Sequence, residues 1–98
     1  MENTQEEIII SFNERESRSL ALNNEDIIGY RQYKEDNNVW SITHTVVKQE
    51  FGGRGIAKRL VLAIIDEARK QNKKINPICS YAKKMMESSD EYKDVLNQ

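Results

Sequence analysis

The chain has 98 residues, which fits one domain with a single small core. Its composition, 38% hydrophobic and 32% charged, is polar without being that of a disordered chain, and a net charge of −1 argues against a nucleic-acid coat or a polybasic membrane surface. One His and one Cys exclude the familiar structural zinc sites and an internal disulfide, and Cys79 fits a reducing compartment.

The first residues, MENTQEE, are acidic and polar, unlike a signal peptide. The longest apolar run, Leu60 to Ile65, is too short to cross a membrane. These features predict a soluble, cytoplasmic, single domain over residues 1–98 with no metal. Glu6 to Phe12 is an isoleucine-rich run and a predicted strand. Asn13 to Glu16 is a polar turn. Arg18 to Leu22 is a second strand ending at Asn23-Asn24. Ile27 to Lys34 is a third, with Ile28, Tyr30 and Gln32 on one face and Ile27, Gly29, Arg31 and Tyr33 on the other. After the turn Glu35 to Asn38, Val39 to Val47 is a fourth strand. The short connections predict an antiparallel meander.

A glycine-rich turn follows, with Gly52, Gly53 and Gly55, and then a helix over about Gly53 to Gln71. Ala57, Leu60, Val61, Ile64, Ile65 and Ala68 repeat at helical spacing and form one buried stripe. Asn72 to Lys74 ends the helix, and Ile75 to Cys79 is a fifth strand, expected to lie parallel to the fourth. Tyr81 to Glu87 and Asp90 to Leu96 read as short helices, with Ser88 or Ser89 as N-cap. The whole is a mixed α/β (α+β) domain.

The strand–glycine turn–helix unit carries the chemistry. Backbone N–H groups at a helix N-terminus favour an anion, and glycines let a ligand approach the backbone. Lys48, Arg54, Lys58 and Arg59 cluster there, where the helix dipole disfavours cations. A plain turn with a solvated charged face accounts for the same residues, and so does a bound pyrophosphate. No Gly-Lys-Ser/Thr occurs, so the loop is not a P-loop. Gly53-x-Gly55 begins a dinucleotide fingerprint, but Lys58 stands at its third small position.

His44 to Arg69, HTVVKQEFGGRGIAKRLVLAIIDEAR, resembles motif A of the GNAT superfamily, the acetyl-CoA-dependent N-acetyltransferases. That motif is Arg or Gln, two free positions, Gly, one free position, then Gly or Ala. Gly55-Ile56-Ala57 matches its second half, and its first position falls on Gly52. Pro77-x-Cys79-x-Tyr81 and the later Glu91-Tyr92 are similar to a compact single-domain branch of that superfamily. Val46, Lys48 and the Ser89-Asp90 pair depart from its usual acidic, proline and His-Pro residues. The resemblance implies an N-terminal antiparallel sheet, a β–α–β unit that binds acetyl-CoA, and acetyl transfer to an amine by direct attack on the thioester. Coenzyme A would contact the backbone of Val46 and Val47, the loop Gly52, Gly53, Arg54, Gly55, Ile56, Ala57 and Lys58, and Tyr81. The fourth and fifth strands would splay to admit the pantetheine arm. The implied partners are acetyl-CoA and an amine acceptor, either a small molecule or a protein lysine or N-terminus, with the protein a monomer or weak dimer.

Cys79 would lie near the thioester, as a transient acyl carrier or as a pocket wall; a strand cysteine is otherwise a small buried hydrophobe. His44 is the one imidazole available as a general base, against the ordinary reading of a structural histidine. Strand alternation puts His44 and Val46 on one face and Val47 on the other. Tyr81 could protonate the departing thiolate or simply pack. Because the chain is short, a non-catalytic CoA-binding or protein-interaction module acting in a complex is the alternative to an enzyme.

Overall fold

The computed structural model describes residues 8–97. In chain order it holds β1 (Ile8–Asn13), β2 (Arg18–Asn23), β3 (Asp26–Asp36), β4 (Val39–Val47), a 3₁₀ turn (Gln49–Phe51), α1 (Ile56–Gln71), β5 (Lys74–Pro77), α2 (Ser80–Glu87) and a second 3₁₀ turn (Asp90–Tyr92). The strands form one sheet in sequence order. β1 to β4 pair antiparallel and β5 joins β4 in parallel, so the predicted meander and β–α–β unit are both present. Among the described residues no helix is long and apolar enough to cross a membrane. Residues 6 and 7 of the expected first strand lie outside the described residues.

The hairpins follow from their turn residues. Asn37 and Asn38 both take positive φ, as a two-residue turn of type I′ requires, so β3 runs on to Asp36 before reversing. Ser17 and Asn24 take positive φ at the other two turns.

Two bulges decide which side chains meet. Leu22 pairs with Ile27 and Ala21 with Gly29, so Ile28 is an extra residue in β3. Ile28 therefore joins Gly29, Arg31 and Tyr33 among the buried positions, and the strict alternation expected for this strand fails. Likewise Gln32 pairs with His44 and Tyr33 with Ile42, leaving Thr43 unpaired in β4. Before this bulge Trp40 and Ile42 are buried; after it Thr45 and Val47 turn inward while His44 and Val46 are exposed.

α1 lies across one face of the sheet. It buries Ile56, Leu60, Val61, Ile64, Ile65 and Ala68, the expected stripe with Ile56 in place of Ala57. The buried Ser19 hydroxyl donates to the Leu60 carbonyl at 3.0 Å, which fixes this face of β2 against the helix. Phe12, Tyr33 and Trp40 stack in series, with centroids 5.8 and 4.3 Å apart for Phe12–Tyr33 and Tyr33–Trp40. Asn72, at φ 58, closes the helix, with its N–H and that of Lys73 returning to the last carbonyls.

Several expected boundaries change, and β5 ends at Pro77 where Cys79 was expected, because the chain turns there into α2. α1 begins at Ile56, not Gly53, because Gly53 and Gly55 take positive φ and cannot be helical. The expected helix over Asp90 to Leu96 is absent. Ser89 caps a single 3₁₀ turn, accepting from the Glu91 N–H, and the chain then pairs with β5. The Ile75 N–H donates to the Val95 carbonyl and the Asn97 N–H to the Ile75 carbonyl, which satisfies the outer edge of β5.

Gly29 marks where β3 and β4 come closest: a Cβ there would stand 2.9 Å from the Val46 carbonyl oxygen. Gly29→Ala should lower stability by about 1–3 kcal/mol, as overpacking does. Chemical denaturation measures it, and an unchanged midpoint would show that the two strands can part freely.

Candidate functional site

The site begins where the parallel pairing stops. β4 and β5 are paired from Val39–Lys74 to Ile42–Pro77. The next two N–H groups, of Ile78 and Cys79, both donate to the Ile42 carbonyl, at 3.1 and 3.0 Å. The chain then turns into α2, with Cys79 as its N-cap residue, while β4 continues to Val47. Among the described residues Thr43 to Val47 thus has no strand neighbour on its β5 side. The resemblance implies that these strands splay apart; here β5 ends at Pro77. An open strand edge of this kind pairs with an extended group that carries amides.

The glycine loop closes one end of the gap. Lys48 donates its N–H to the Ile28 carbonyl, and Phe51 buries its ring against Ile28, Ile56 and Leu60. Gly55 is the N-cap of α1, at φ 74 and ψ 15, and no side chain caps this end. The N–H groups of the first helical turn accordingly point out of the helix end. A Cβ built on Gly53 or Gly55 meets nothing within 4 Å, so the space before the helix is open. Of the cations, Lys48 and Lys58 are exposed, and Arg54 lies over the Phe51 ring at 5.1 Å. Arg59 is turned away and donates to the Ile8 carbonyl at 3.2 Å. The loop fits an anionic group held by backbone N–H donors, with lysines beside it.

At the other end stands Cys79. The fully buried Arg31 reaches it from β3, with Nη1 at 3.4 Å from Sγ. Thr45 Oγ1 lies at 4.0 Å. Tyr81, 44% exposed, places its ring 5.5 Å from the Arg31 guanidinium carbon. Burial pushes the Cys79 thiol up, but hydrogen bonds from the Ala82 N–H, Arg31 and the Tyr81 N–H outweigh it and bring the thiol down to about 7.

Of the two residues nominated for chemistry, the structure brings only Cys79 to the gap. His44 is exposed, stands on the face turned away from α1, and meets Tyr30 edge-on at 6.1 Å. Arg31 and Thr45, which flank Cys79, lie on the α1 face, as does Ser19, the cross-strand partner of Arg31. Val46 is 44% exposed, on the same face as His44. Arg31 and Thr45 were not foreseen as site residues. The signal for Arg31 was present: a lone cation on the strand face that also carries Gly29 and Tyr33. A surface hollow of about 500 Å³ beside α2 is lined by Lys83, Glu87, Asp90 and Lys93 and shares none of the loop residues.

Comparison with known proteins agrees with this geometry. The profile of a family described as GCN5-related N-acetyl-transferase matches residues 19–95. A solution structure of a GCN5-like protein from Staphylococcus aureus is 35% identical, with a TM-score of 0.71 over 91% of this chain and 87% of that one. The ribosomal-protein-S18-alanine N-acetyltransferase of Escherichia coli shares the fold at 16% identity and a TM-score of 0.62, over 79% of this chain and 53% of that one. An N-acetylglutamate synthase from Neisseria gonorrhoeae, complexed with coenzyme A and N-acetyl-glutamate, aligns at 21% identity and a TM-score of 0.51, over 62% of this chain and 17% of that one. No curated protein sequence matches. With about four-fifths of its length matched by the family profile and the fold shared with these structures, the chain belongs to the GCN5-related N-acetyltransferase family and is an acetyltransferase.

Proposed function

We propose that this chain transfers acetyl groups from acetyl-CoA to an amine, with the cofactor lying along the open edge of β4. The single observation that carries the reading is the early end of the β4–β5 ladder directly beside an uncapped, glycine-lined helix N-terminus. The pyrophosphate would sit on the first-turn N–H groups of α1, near Lys58 and the loop Gly52 to Ala57. The pantetheine amides would pair with the backbone of Thr45 to Val47, and the thioester would then reach Cys79 and Tyr81.

Two routes fit that placement. In direct attack, the amine nitrogen adds to the acetyl carbonyl and the CoA thiolate leaves. The ionisation of Cys79 near neutral pH favours the second route. There the Cys79 thiolate attacks the acetyl carbonyl carbon, a new S–C bond forms, and CoA departs as its thiolate. The amine then attacks the acetyl-cysteine, the amide bond forms, and Cys79 leaves as thiolate. The amine's surplus proton passes to the CoA thiolate or to water. N–H groups at the N-terminus of α2 are positioned to stabilise negative charge in both steps. His44, on the other face of the sheet, has no part in generating the Cys79 thiolate. The acceptor is an amine in solution or on a protein; the protein is a monomer or weak dimer in the cytoplasm.

An amide-resolved NMR titration with coenzyme A should shift resonances of residues 43–58 and 79–83. No shift at millimolar ligand would overturn the reading. Gly55→Val should weaken CoA binding by roughly ten-fold or more, since it fills the space before the helix and strains a positive φ. The route is tested with Cys79→Ser: a loss of roughly a hundred-fold or more in transfer, with acetyl-Cys79 seen by mass spectrometry in the wild type when no amine is added, supports the covalent route. Full activity in Cys79→Ser would establish direct attack. His44→Ala should leave the rate of thiol alkylation unchanged across pH; a slowed reaction would mean that the imidazole does reach the sulfur.

A further inference from the structure

Arg31 is the least expected residue in the molecule. It is fully buried, yet Nε and Nη2 have no hydrogen-bond partner, and among the described residues no carboxylate pairs with it. Taking a guanidinium out of water without a counter-charge is strongly unfavourable. Nη1 lies 3.4 Å from Cys79 Sγ, and the guanidinium carbon lies over the Tyr81 ring, 5.5 Å from its centroid. A neutral thiol is a poor acceptor and gives such a cation little; a thiolate is the anion it lacks.

We propose that Arg31 is the positioning residue of the site, a buried cation that holds Cys79 as a thiolate and aims it into the gap between β4 and β5. The proposal rests on the reading of that gap as the site of acetyl transfer, but it concerns the sulfur alone. The groups facing Sγ can be named element by element. β3 supplies Arg31, β4 supplies the neutral hydroxyl of Thr45, and α2 supplies the N–H groups of Tyr81 and Ala82 together with the Tyr81 ring. Arg31 is thus the one formal charge directed at the sulfur among the described residues. It is also placed to stay there: Ser19 on one side and Thr45 on the other pair with it in the sheet, so its Cα is fixed by two ladders.

The test is the pH dependence of Cys79 alkylation by iodoacetamide, read with the ultraviolet absorbance of the thiolate. In the wild type the midpoint should fall at about 7. In Arg31→Met it should rise toward about 8.5, the value of a free cysteine, and alkylation at neutral pH should slow by roughly ten-fold. Arg31→Lys, which keeps the charge, should restore most of the shift. A folded Arg31→Met with an unmoved midpoint overturns the proposal and leaves the N–H groups of α2 as the whole cause. Should Arg31→Met fail to fold, the wild type supplies the same answer: the Arg31 Nε–H resonance in NMR should titrate with the midpoint of Cys79, and a flat resonance overturns the proposal. Neither readout needs acetyl-CoA, so absence of acetyl-Cys79 would remove the covalent route and leave this result standing.

Discussion

Everything in the site depends on one carbonyl. Ile42 accepts from both Ile78 and Cys79, and in doing so it ends the parallel ladder. The Ile78 N–H makes the last regular bond of the ladder, and the next N–H, of Cys79, returns to the same carbonyl and does not move on along β4. Instead the chain leaves β5 at its fourth residue and enters α2, which puts Cys79 at a helix N-cap rather than in a strand. The same step creates the open edge of β4 and the electropositive surroundings of the thiol. The two halves of the site share one local cause.

The core holds those halves at a fixed distance. α1 is bound to the sheet by its buried stripe and by Ser19, and its N-terminus is anchored through Phe51, Ile56 and Leu60 to Ile28. Lys48 is bonded to the Ile28 carbonyl, so the bulge in β3 also places the start of the loop. The loop can therefore be glycine-rich without being loose. Its two positive-φ glycines shape the backbone in front of the helix, and the buried phenylalanine keeps it in place.

Much of this was legible in the sequence because it is periodic. The limits of β4 match the expectation, and the α1 stripe differs by one residue, since helical spacing and apolar alternation survive in any tertiary setting. The loop was legible through its glycines. The bulges were not. A single extra residue at Thr43 moves every later side chain of β4 to the other face, and nothing in the residue types marks it. Hence His44 could be taken for a partner of Cys79, when Thr45 holds that place. The Asp90 to Leu96 segment misled for a different reason: its apolar spacing suits a helix, but the unpaired outer edge of β5 claims its backbone. Tertiary demand overrode local preference there.

Arg31 shows what sequence patterns hide and why. Its position in β3 belongs to the buried face, where Gly29 and Tyr33 also point, so pattern alone asks for an apolar residue. A valine or leucine there would remove the desolvation cost of a buried cation and would pack against the same neighbours. That the chain carries a guanidinium instead, with two of its nitrogens unpartnered, means that the stability lost at this point is set against something other than packing. Sites of chemistry are where local rules are broken without a structural return. In this fold the break falls beside the one thiol, on the α1 face, at the level where the sheet opens. The end of the ladder, the N-cap of α2 and the buried cation thereby converge on Cys79, while the imidazole that sequence order placed close by stands on the far side of the sheet.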